Sequence, residues 1–255
     1  EDFPEEHLEF LRSRRIDLEG LEIAKGKTFH WVGEYGDNLN EAITLETHLN
    51  VFADFQPKLP ENYKTSEFVF LANIDPQLQM DVLGQMTSPR FIACDTMNFW
   101  IEGKTEPLWE LLKHVDALII NDGEVSLLAE DKNLLRAARR ILREGPKTLI
   151  IKRGEYGALL FDDEGEFWAP ALPLDDLSDP TGAGDSFAGG FMGYLASSGD
   201  INHENFRRAI IYGSTMASFN VQAFSLDRLR TLSSKEVEER AQSFKSLSDF
   251  NLPPP

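Results

Sequence analysis

The chain of 255 residues contains a single cysteine, Cys94, so an internal disulfide is excluded. One cysteine is typical of a protein of the reducing cytoplasm. Because Cys94 lies in the apolar run of residues 91–94, we expect a buried strand position and not a reactive thiol. Apolar runs of membrane-spanning length are also missing, so we predict a cytoplasmic protein without a membrane partner.

Positive charge is scarce. The 25 basic side chains face 43 acidic ones, which gives a net charge of −18. This balance argues against nucleic acid or an anionic membrane as a main partner. Any bound phosphate must therefore be held by locally arranged donors. No linker-like segment divides the chain, and we interpret residues 1–255 as a single α/β domain.

Residues 179–185 (Asp-Pro-Thr-Gly-Ala-Gly-Asp) carry the strongest functional signal. The apolar spacing of residues 186–196 predicts a helix whose first turn is this glycine-rich bend. The start of a helix offers unpaired N–H groups and partial positive charge to an anion, and glycine lets the backbone approach it. A carboxylate at Asp185 would repel that anion unless it takes a proton from a hydroxyl that attacks phosphorus.

Other interpretations of this run are weaker. A Walker phosphate loop needs Lys after its last glycine, where this chain has Asp185, and a dinucleotide fingerprint needs glycine at the position of Phe187. A further alternative is a capped helix start whose glycines serve only the turn. We favour a functional loop because two glycines, a threonine and two aspartates converge within seven positions.

The middle of the chain alternates short apolar runs with helical patterns. Strands are predicted at residues 68–71, 91–94, 117–120, 148–151 and 158–161, and helices near 76–86, 106–114, 124–129 and 133–143. This order predicts a buried, mostly parallel sheet with helices on both faces. Polar residues just past the carboxyl ends of such strands line a ligand crevice. Here they are Asn73, Asp95, Asn121, Glu124 and Lys152.

The flanking segments follow other patterns. A helix is predicted over residues 5–14, and residues 21–56 have a β pattern with strands at 28–33 and 47–52 around a turn at 36–40. Helices are also predicted over 206–219 and 235–247. Gly213 and its small neighbours in the first of these permit close packing, either against a nucleotide base or against another helix.

Taken together, residues 2–7, 121–124, 151–159 and 179–190 resemble, in the same order, the signatures of the PfkB/ribokinase family of carbohydrate and nucleoside kinases. The resemblance implies a ribokinase-like α/β fold in which residues 21–56 form a small β lid. It implies ATP-dependent phosphoryl transfer to an alcohol group of a sugar or nucleoside, with Mg²⁺ and a monovalent cation such as K⁺ as cofactors. It also implies a homodimer through the lid, and a first strand and Gly-Gly segment ahead of these residues, so we expect an incomplete acceptor site.

Roles in the family suggest roles for single residues. Asp185 is the expected general base, and the backbone N–H groups of Gly182, Ala183 and Gly184 are the expected anion hole. Nucleotide contacts are expected from Asn121, Glu124, Lys152, Gly154, Gly157 and Thr181, with Glu124 acting on the metal through water. Acceptor contacts are expected from Phe29, Trp31, Asn73 and Asp95.

Several alternatives remain open at this point. The spacing of Asn121 and Glu124 also fits a capping box, and the glycines of residues 152–157 also fit a tight hairpin. Phe29 and Trp31 equally fit a hairpin that is simply packed on the main domain. Residues 95–100 lack the arginine of the family's Asp-Pro-Asn-x-Arg pattern, which weakens the case for an acidic acceptor. The alternative function is a non-catalytic sugar- or nucleotide-binding sensor or assembly member of the same fold.

Overall fold

The structure is a computed structural model that describes residues 2–36 and 42–248, without the side chains of Ala42 and Ser248. Apart from Gly36, the predicted turn at residues 36–40 lies outside the described residues. The chain forms two compact units, one of residues 1–66 and 80–88 and the other of residues 67–79 and 89–255. Within the described ranges, no helix is both long enough and apolar enough to cross a bilayer.

The elements described in residues 2–66 of the smaller unit are a helix, a two-stranded antiparallel sheet and short 3₁₀ segments: α1 (Glu5–Ser13), β1 (His30–Tyr35), β2 (Ala42–His48), Asn50–Asp54 and Tyr63–Thr65. The predicted strand at residues 47–52 is wrong beyond His48. The chain leaves the extended conformation at Leu49, which has helical dihedral angles (φ −66°, ψ −37°). Asn50 follows with a φ of +51°, a left-handed conformation that asparagine adopts more readily than most residues. Its side-chain Nδ2 donates to the Thr28 carbonyl at 2.8 Å, which fixes this bend.

The larger unit is built on one six-stranded sheet whose strands lie in chain order: β3 (Phe68–Leu71), β4 (Phe91–Cys94), β5 (Ala117–Asn121), β6 (Thr148–Lys152), β7 (Ala158–Phe161) and β8 (Glu166–Ala169). Strands β3 to β6 are parallel, and β7 and β8 continue the sheet antiparallel. The prediction of a mostly parallel sheet is therefore confirmed. Sequence reasoning did not identify β8, whose four residues alternate between exposed and buried at the sheet edge.

The helices after β3 are α2 (Pro76–Leu83), α3 (Asn98–Gly103), α4 (Thr105–Leu112), α5 (Asp122–Leu128), α6 (Leu134–Glu144), α7 (Ala183–Ser198), α8 (His203–Asn220), α9 (Asp227–Arg230) and α10 (Ser234–Ser248). Helices α3 and α9 were not predicted, because six and four residues are too few to show a periodic pattern. Helix α2 ends three residues earlier than predicted.

Both faces of the central strands are covered. Ile119 and Ile150 are fully buried in a cluster with Phe191 of α7 and with residues of α8. Successive side chains of a strand point to opposite faces, so Leu118 and Leu149 point away from that cluster. They too are fully buried, on the side where α5 and α6 contact β5 and β6. Burial on both sides explains why these strands are continuously apolar.

Helices α7 and α8 pack unusually closely. A Cβ placed on Gly213 would lie 2.8 Å from the Phe187 carbonyl oxygen, and one on Gly190 would lie 2.7 Å from the Tyr212 carbonyl oxygen. Neither contact leaves room for a side chain. Gly213 therefore serves the packing of the two helices, which is the second of the alternatives stated for it.

Gly157 is required by the sheet. Its φ is +89°, and a Cβ there would lie only 2.0 Å from the Ala169 carbonyl oxygen of β8. We expect Gly157→Ala to lower the free energy of unfolding by at least about 2 kcal/mol, because a strained backbone alone costs about 1–3 kcal/mol. Urea denaturation measures this.

Gly165→Ala is the matched control. Gly165 has a φ of +141°, and a Cβ placed on it would meet no other atom within 4 Å, so this substitution carries only the conformational cost. Equal losses of stability in the two variants would contradict the close approach of β7 to β8.

Candidate active site

The glycine loop, residues 179–185, has a defined conformation. Gly182 adopts a φ of +79° as the N-cap of α7, which begins at Ala183. The Asp179 carboxylate accepts a hydrogen bond from the Thr181 N–H at 2.9 Å. This bond forms a turn at the start of the loop. The left-handed residue then directs the chain into the helix, so glycine at position 182 is a requirement of the backbone.

Asn220, the last residue of α8, holds the glycine loop in place through hydrogen bonds. It is 2% exposed, its Nδ2 donates to the Thr181 carbonyl at 2.8 Å, and its Oδ1 accepts from the Ser186 hydroxyl at 2.7 Å. The carbonyl of Val221 also accepts from the Ser178 N–H at 2.8 Å. Sequence reasoning missed Asn220. The one available signal was an asparagine directly after the predicted helix of residues 206–219.

The first turn of α7 presents N–H groups to a ligand. The Ala183 N–H donates to the Pro180 carbonyl at 3.1 Å. For Gly182, Gly184 and Asp185, the backbone N–H has no hydrogen-bond acceptor among the described residues. Such groups at a helix start are suited to an anion. The Asp185 side chain is exposed beside them, so its carboxylate is accessible.

Lys152 connects the glycine loop to the sheet. Its Nζ lies 3.4 Å from an Asp95 carboxylate oxygen, and a Cβ placed on Gly184 would lie 3.1 Å from the same Nζ. The side chains of Lys152 and Asp95 are 18% and 9% exposed, so the ion pair is largely shielded from water. With Glu124 and Asp185 they form a charged cluster at the carboxyl ends of β4, β5 and β6, where the crevice was predicted.

Burial dominates the electrostatics of this cluster. It raises the pKa of Asp95, Lys152 opposes that rise, and the neighbouring Asp185 adds to it. Burial also raises the pKa of Glu124 to about 7, and the negative charge of Asp95 contributes in the same direction. Three carboxylates around one ammonium leave the cluster short of positive charge, which a Mg²⁺ ion would supply.

Asn121 and Glu124 form the capping box of α5. The Glu124 N–H donates to Asn121 Oδ1 and the Asn121 N–H donates to Glu124 Oε2, both at 2.8 Å. The structural interpretation of this spacing is therefore correct. Glu124 can still have a second role, because its Oε1 has no hydrogen-bond partner among the described residues.

The titration of Glu124 has a measurable consequence. A carboxyl whose pKa is raised on folding binds its proton more tightly in the folded state, so it stabilises the protein at low pH and loses that contribution as pH rises. From pH 4.5 to about 7 we expect the wild type to lose roughly 3 kcal/mol relative to Glu124→Gln. Glutamine keeps the capping hydrogen bond but does not titrate.

Chemical denaturation of both proteins at pH 5 and pH 8 measures this difference. Equal losses between the two pH values in wild type and Glu124→Gln would show that this carboxyl has an ordinary pKa.

The segment after β6 is a 3₁₀ turn over Gly154–Tyr156 in which Gly154 has a φ of +52°. Arg153 donates to Asp122 at 3.3 Å, and its guanidinium lies 5.5 Å from the centre of the Tyr156 ring. The glycines are thus explained by the turn. Any nucleotide contact would come in addition to this structural role.

The predicted acceptor residues fall in both units. Asn73 and Asp95 lie at the ends of β3 and β4, where Asn73 Oδ1 accepts from Trp100 Nε1 at 3.0 Å. Phe29 and Trp31 belong to the smaller unit. Phe29 is 44% exposed and meets Phe52 edge to face, and Trp31 Nε1 donates to the Thr44 hydroxyl at 3.2 Å.

The donor set suits a magnesium ion that arrives with a nucleotide. Among the described residues, no three His, Cys, Asp or Glu side chains are grouped so that they could hold a metal ion by themselves. Mg²⁺ prefers oxygen ligands and usually keeps several waters while it binds substrate phosphates. The unpaired oxygen of Glu124 fits a contact to one such water, so the residues fit the ion in this form.

A mostly parallel α/β sheet with free N–H groups at a helix start and an accessible carboxylate beside them is the arrangement expected of a phosphotransferase of the ribokinase-like class. The family comparison agrees, because the profile described as pfkB family carbohydrate kinase matches residues 1–230. The chain therefore belongs to the PfkB family of carbohydrate kinases, and the predicted assignment to a carbohydrate or nucleoside kinase is confirmed.

Individual relatives support the same assignment. The chain is 31% identical over 196 residues to a cytidine kinase of Thermococcus kodakarensis, covering 75% of this chain and 69% of that one. It is 26% identical over 164 residues to a nucleoside kinase of Methanocaldococcus jannaschii, covering 64% of this chain but only 51% of that one. The crystal structure of the Methanocaldococcus enzyme superposes with a TM-score of 0.74 at 20% identity, covering 93% of this chain and 76% of that one. This last likeness shows the fold, and the ribokinase-like prediction is confirmed.

Proposed function

We propose that the protein transfers the γ-phosphoryl group of ATP to an alcohol group of a sugar or nucleoside. The observation that carries this proposal is the start of α7. There the exposed Asp185 lies beside the backbone N–H groups of Gly182, Gly184 and Asp185, which have no acceptor among the described residues. This arrangement supports the proposal, because phosphoryl transfer uses a base next to a surface that binds an anion.

In the proposed reaction Asp185 accepts the proton of the acceptor hydroxyl as its oxygen attacks the γ-phosphorus. A bond forms between that oxygen and phosphorus, the bond between the γ-phosphorus and the β–γ bridging oxygen breaks, and ADP leaves with the electron pair. The free N–H groups of the glycine loop stabilise the charge that develops on the transferred group. The ammonium of Lys152, adjacent to Gly184, adds positive charge at the same place.

The nucleotide is proposed to lie along the carboxyl ends of β5 and β6, with contacts from Asn121, Glu124, Lys152, Gly154, Gly157 and Thr181. Mg²⁺, when bound, neutralises charge on the phosphates. Glu124 would hold it through a water on its unpaired oxygen. We also propose that a monovalent cation such as K⁺ binds near the glycine loop. If it does, replacing K⁺ by tetramethylammonium in the assay will lower the rate; an unchanged rate would contradict this site.

The acceptor is proposed to contact Asn73, Asp95 and, in the β lid of residues 21–56, Phe29 and Trp31. A sugar or nucleoside acceptor is consistent with the names of the relatives, a cytidine kinase and a nucleoside kinase. Residues 1–255 are proposed to work as one cytoplasmic kinase domain that forms a homodimer through the lid. Sedimentation of a single monomeric species at all concentrations would exclude that dimer.

An acceptor-dependent release of ADP tests the proposal. The protein is incubated with ATP, Mg²⁺ and a panel of sugars and nucleosides, and ADP is measured by a coupled assay beside calorimetric titrations of ATP and each acceptor. We expect ADP release with at least one acceptor. Binding of both ligands without any acceptor-dependent ADP would contradict the proposal and favour a non-catalytic binding protein.

A further inference from the structure

We propose that Met97, Phe99 and Trp100 form a binding surface, here named the aromatic shelf, for the planar heteroaromatic ring of a nucleoside acceptor. The inference rests on the proposed kinase function, because it identifies the acceptor class of the same crevice. It distinguishes a nucleoside from a free sugar, which has no such ring.

The aromatic shelf continues directly from the charged cluster. It begins two residues after Asp95, whose carboxylate interacts with Lys152 and lies near Asp185. On its other side it is joined to the end of β3, where Asn73 accepts the hydrogen bond of the Trp100 indole at 3.0 Å. The shelf thus lies between two polar residues at the carboxyl ends of neighbouring strands, the edge at which ligands bind in such sheets.

Hydrogen bonds hold the shelf at both ends. Gln79 Nε2 donates to two carbonyl groups at the end of β3 and to the Asp95 carbonyl, at 2.9 to 3.1 Å. After the shelf, Lys104 Nζ donates to the Asp75 carboxylate at 2.8 Å. A surface held at both ends is preorganised, so binding a ring costs little ordering.

The apolar surface of the shelf is accessible. Phe99 is 63% exposed and Met97 is 39% exposed, and the rings of Phe99 and Trp100 meet edge to face at 4.8 Å. Single exposed apolar side chains are ordinary on a protein surface. Here two exposed side chains, Met97 and Phe99, lie next to the partly buried Trp100 ring, and together they form a continuous platform of the kind on which nucleobases stack.

The charge of the segment favours an uncharged acceptor. Residues 95–103 include two acidic side chains and no lysine or arginine, so they offer nothing to a second phosphate or a carboxylate. The Thr96 hydroxyl is buried, with the residue 3% exposed, and has no hydrogen-bond partner among the described residues. Buried polar atoms usually have a partner, and a polar group of a nucleoside would supply one.

Phe99→Ala tests the shelf, with Phe99→Tyr as the variant that keeps a ring and Trp168→Ala as the control. Trp168 lies on β8 at the far edge of the sheet and is 57% exposed, so its loss removes a similar ring elsewhere. Kinetics are measured with cytidine, adenosine and guanosine, and with D-ribose as the same sugar without a base. Calorimetric titration of each nucleoside without ATP gives a readout independent of turnover.

We expect Phe99→Ala to weaken nucleoside binding and raise the nucleoside KM by about 5- to 100-fold, the range produced by losing one stacking ring. The KM for ATP, the response to ribose, and the kinetics of Trp168→Ala should stay within about twofold of wild type, the scatter expected when no stacking ring is lost. Phe99→Tyr keeps a stacking ring, so it should bind nucleosides more tightly than Phe99→Ala does. Unchanged nucleoside binding in Phe99→Ala would contradict the proposed shelf. An equal loss of affinity for ribose would contradict it too.

The outcomes separate the shelf from the kinase proposal. Nucleoside binding that is lost in Phe99→Ala, in a protein that releases no ADP with any acceptor, would support the shelf and reject the kinase mechanism. Phosphorylation of free sugars alone, with full activity in Phe99→Ala, would reject the shelf and leave the kinase mechanism intact.

Discussion

Asp185→Asn is expected to lower turnover by about 10²- to 10⁴-fold, the contribution of a well-placed general base. Asparagine has the same shape as aspartate but cannot accept the proton of the attacking hydroxyl. The side chain is exposed at the first turn of α7, so the substitution leaves no buried group without a partner. Folding should therefore be unaffected.

The binding of ATP separates a catalytic role from a structural one. The N–H groups of the glycine loop belong to the backbone and remain in Asp185→Asn. Removal of a negative charge next to an anion site should leave ATP affinity unchanged or slightly higher. Calorimetric titration of ATP, together with turnover in a coupled ADP assay, measures both quantities.

Asp176→Asn is the control for charge. Asp176 is exposed on the approach to the glycine loop and has no proposed role in the reaction, yet its substitution removes the same charge. Its turnover should match wild type. A folded Asp185→Asn protein with near-normal turnover would remove Asp185 from the mechanism, whatever the control shows.

Lys152→Met is expected to destabilise the protein by about 3–5 kcal/mol near neutral pH, as removing one partner of a buried ion pair does. The Asp95 side chain is only 9% exposed and would be left as an uncompensated carboxylate. Turnover should also fall, since the ammonium beside Gly184 is lost. Urea denaturation measures the stability change.

The pH dependence of Lys152→Met identifies its cause. Burial raises the pKa of Asp95 and Lys152 lowers it, so the substitution raises the folded-state pKa further. A carboxyl with a raised pKa is stabilising while protonated and loses that contribution as pH rises above about 3.9, its unfolded value. The penalty should be small at pH 4 and grow towards pH 8.

The double variant Lys152→Met with Asp95→Asn completes the cycle. With the carboxylate removed, most of the lost stability should return and the pH dependence should disappear. Stability that stays low in the double variant would mean that Lys152 contributes through packing of its aliphatic chain. Turnover need not return, because the positive charge next to the glycine loop is still missing.

Sequence reasoning succeeded where a local pattern determines the structure. The strands β3 to β7 are continuous apolar runs because both of their faces are buried, and their ends were located within one residue. The glycine loop was recognised because two glycines, a threonine and two aspartates converge within seven positions just before a helical pattern, and the structure places the start of α7 there. Membership of the PfkB family followed from these local signatures and is confirmed.

The misses depend on contacts that are distant in sequence. Asn220 lies 39 residues after Thr181, and no pattern within either segment predicts the hydrogen bond between them. The strand β2 was placed too late because the aromatic and apolar residues after His48 suggested strand, whereas Asn50 adopts a left-handed conformation. Helix α3 was missed because it is short, although it carries the aromatic shelf.

The close packing of α7 against α8 links the proposed phosphoryl transfer to residues that lie outside the crevice. One helix begins at the glycine loop and the other ends at the asparagine that holds it, so the two must keep a fixed offset along their shared length. Gly190 and Gly213 set that offset in the interior. Substitution of either glycine would therefore strain the contact between the helices and also displace the glycine loop, so it would weaken phosphate transfer without changing any residue of the crevice.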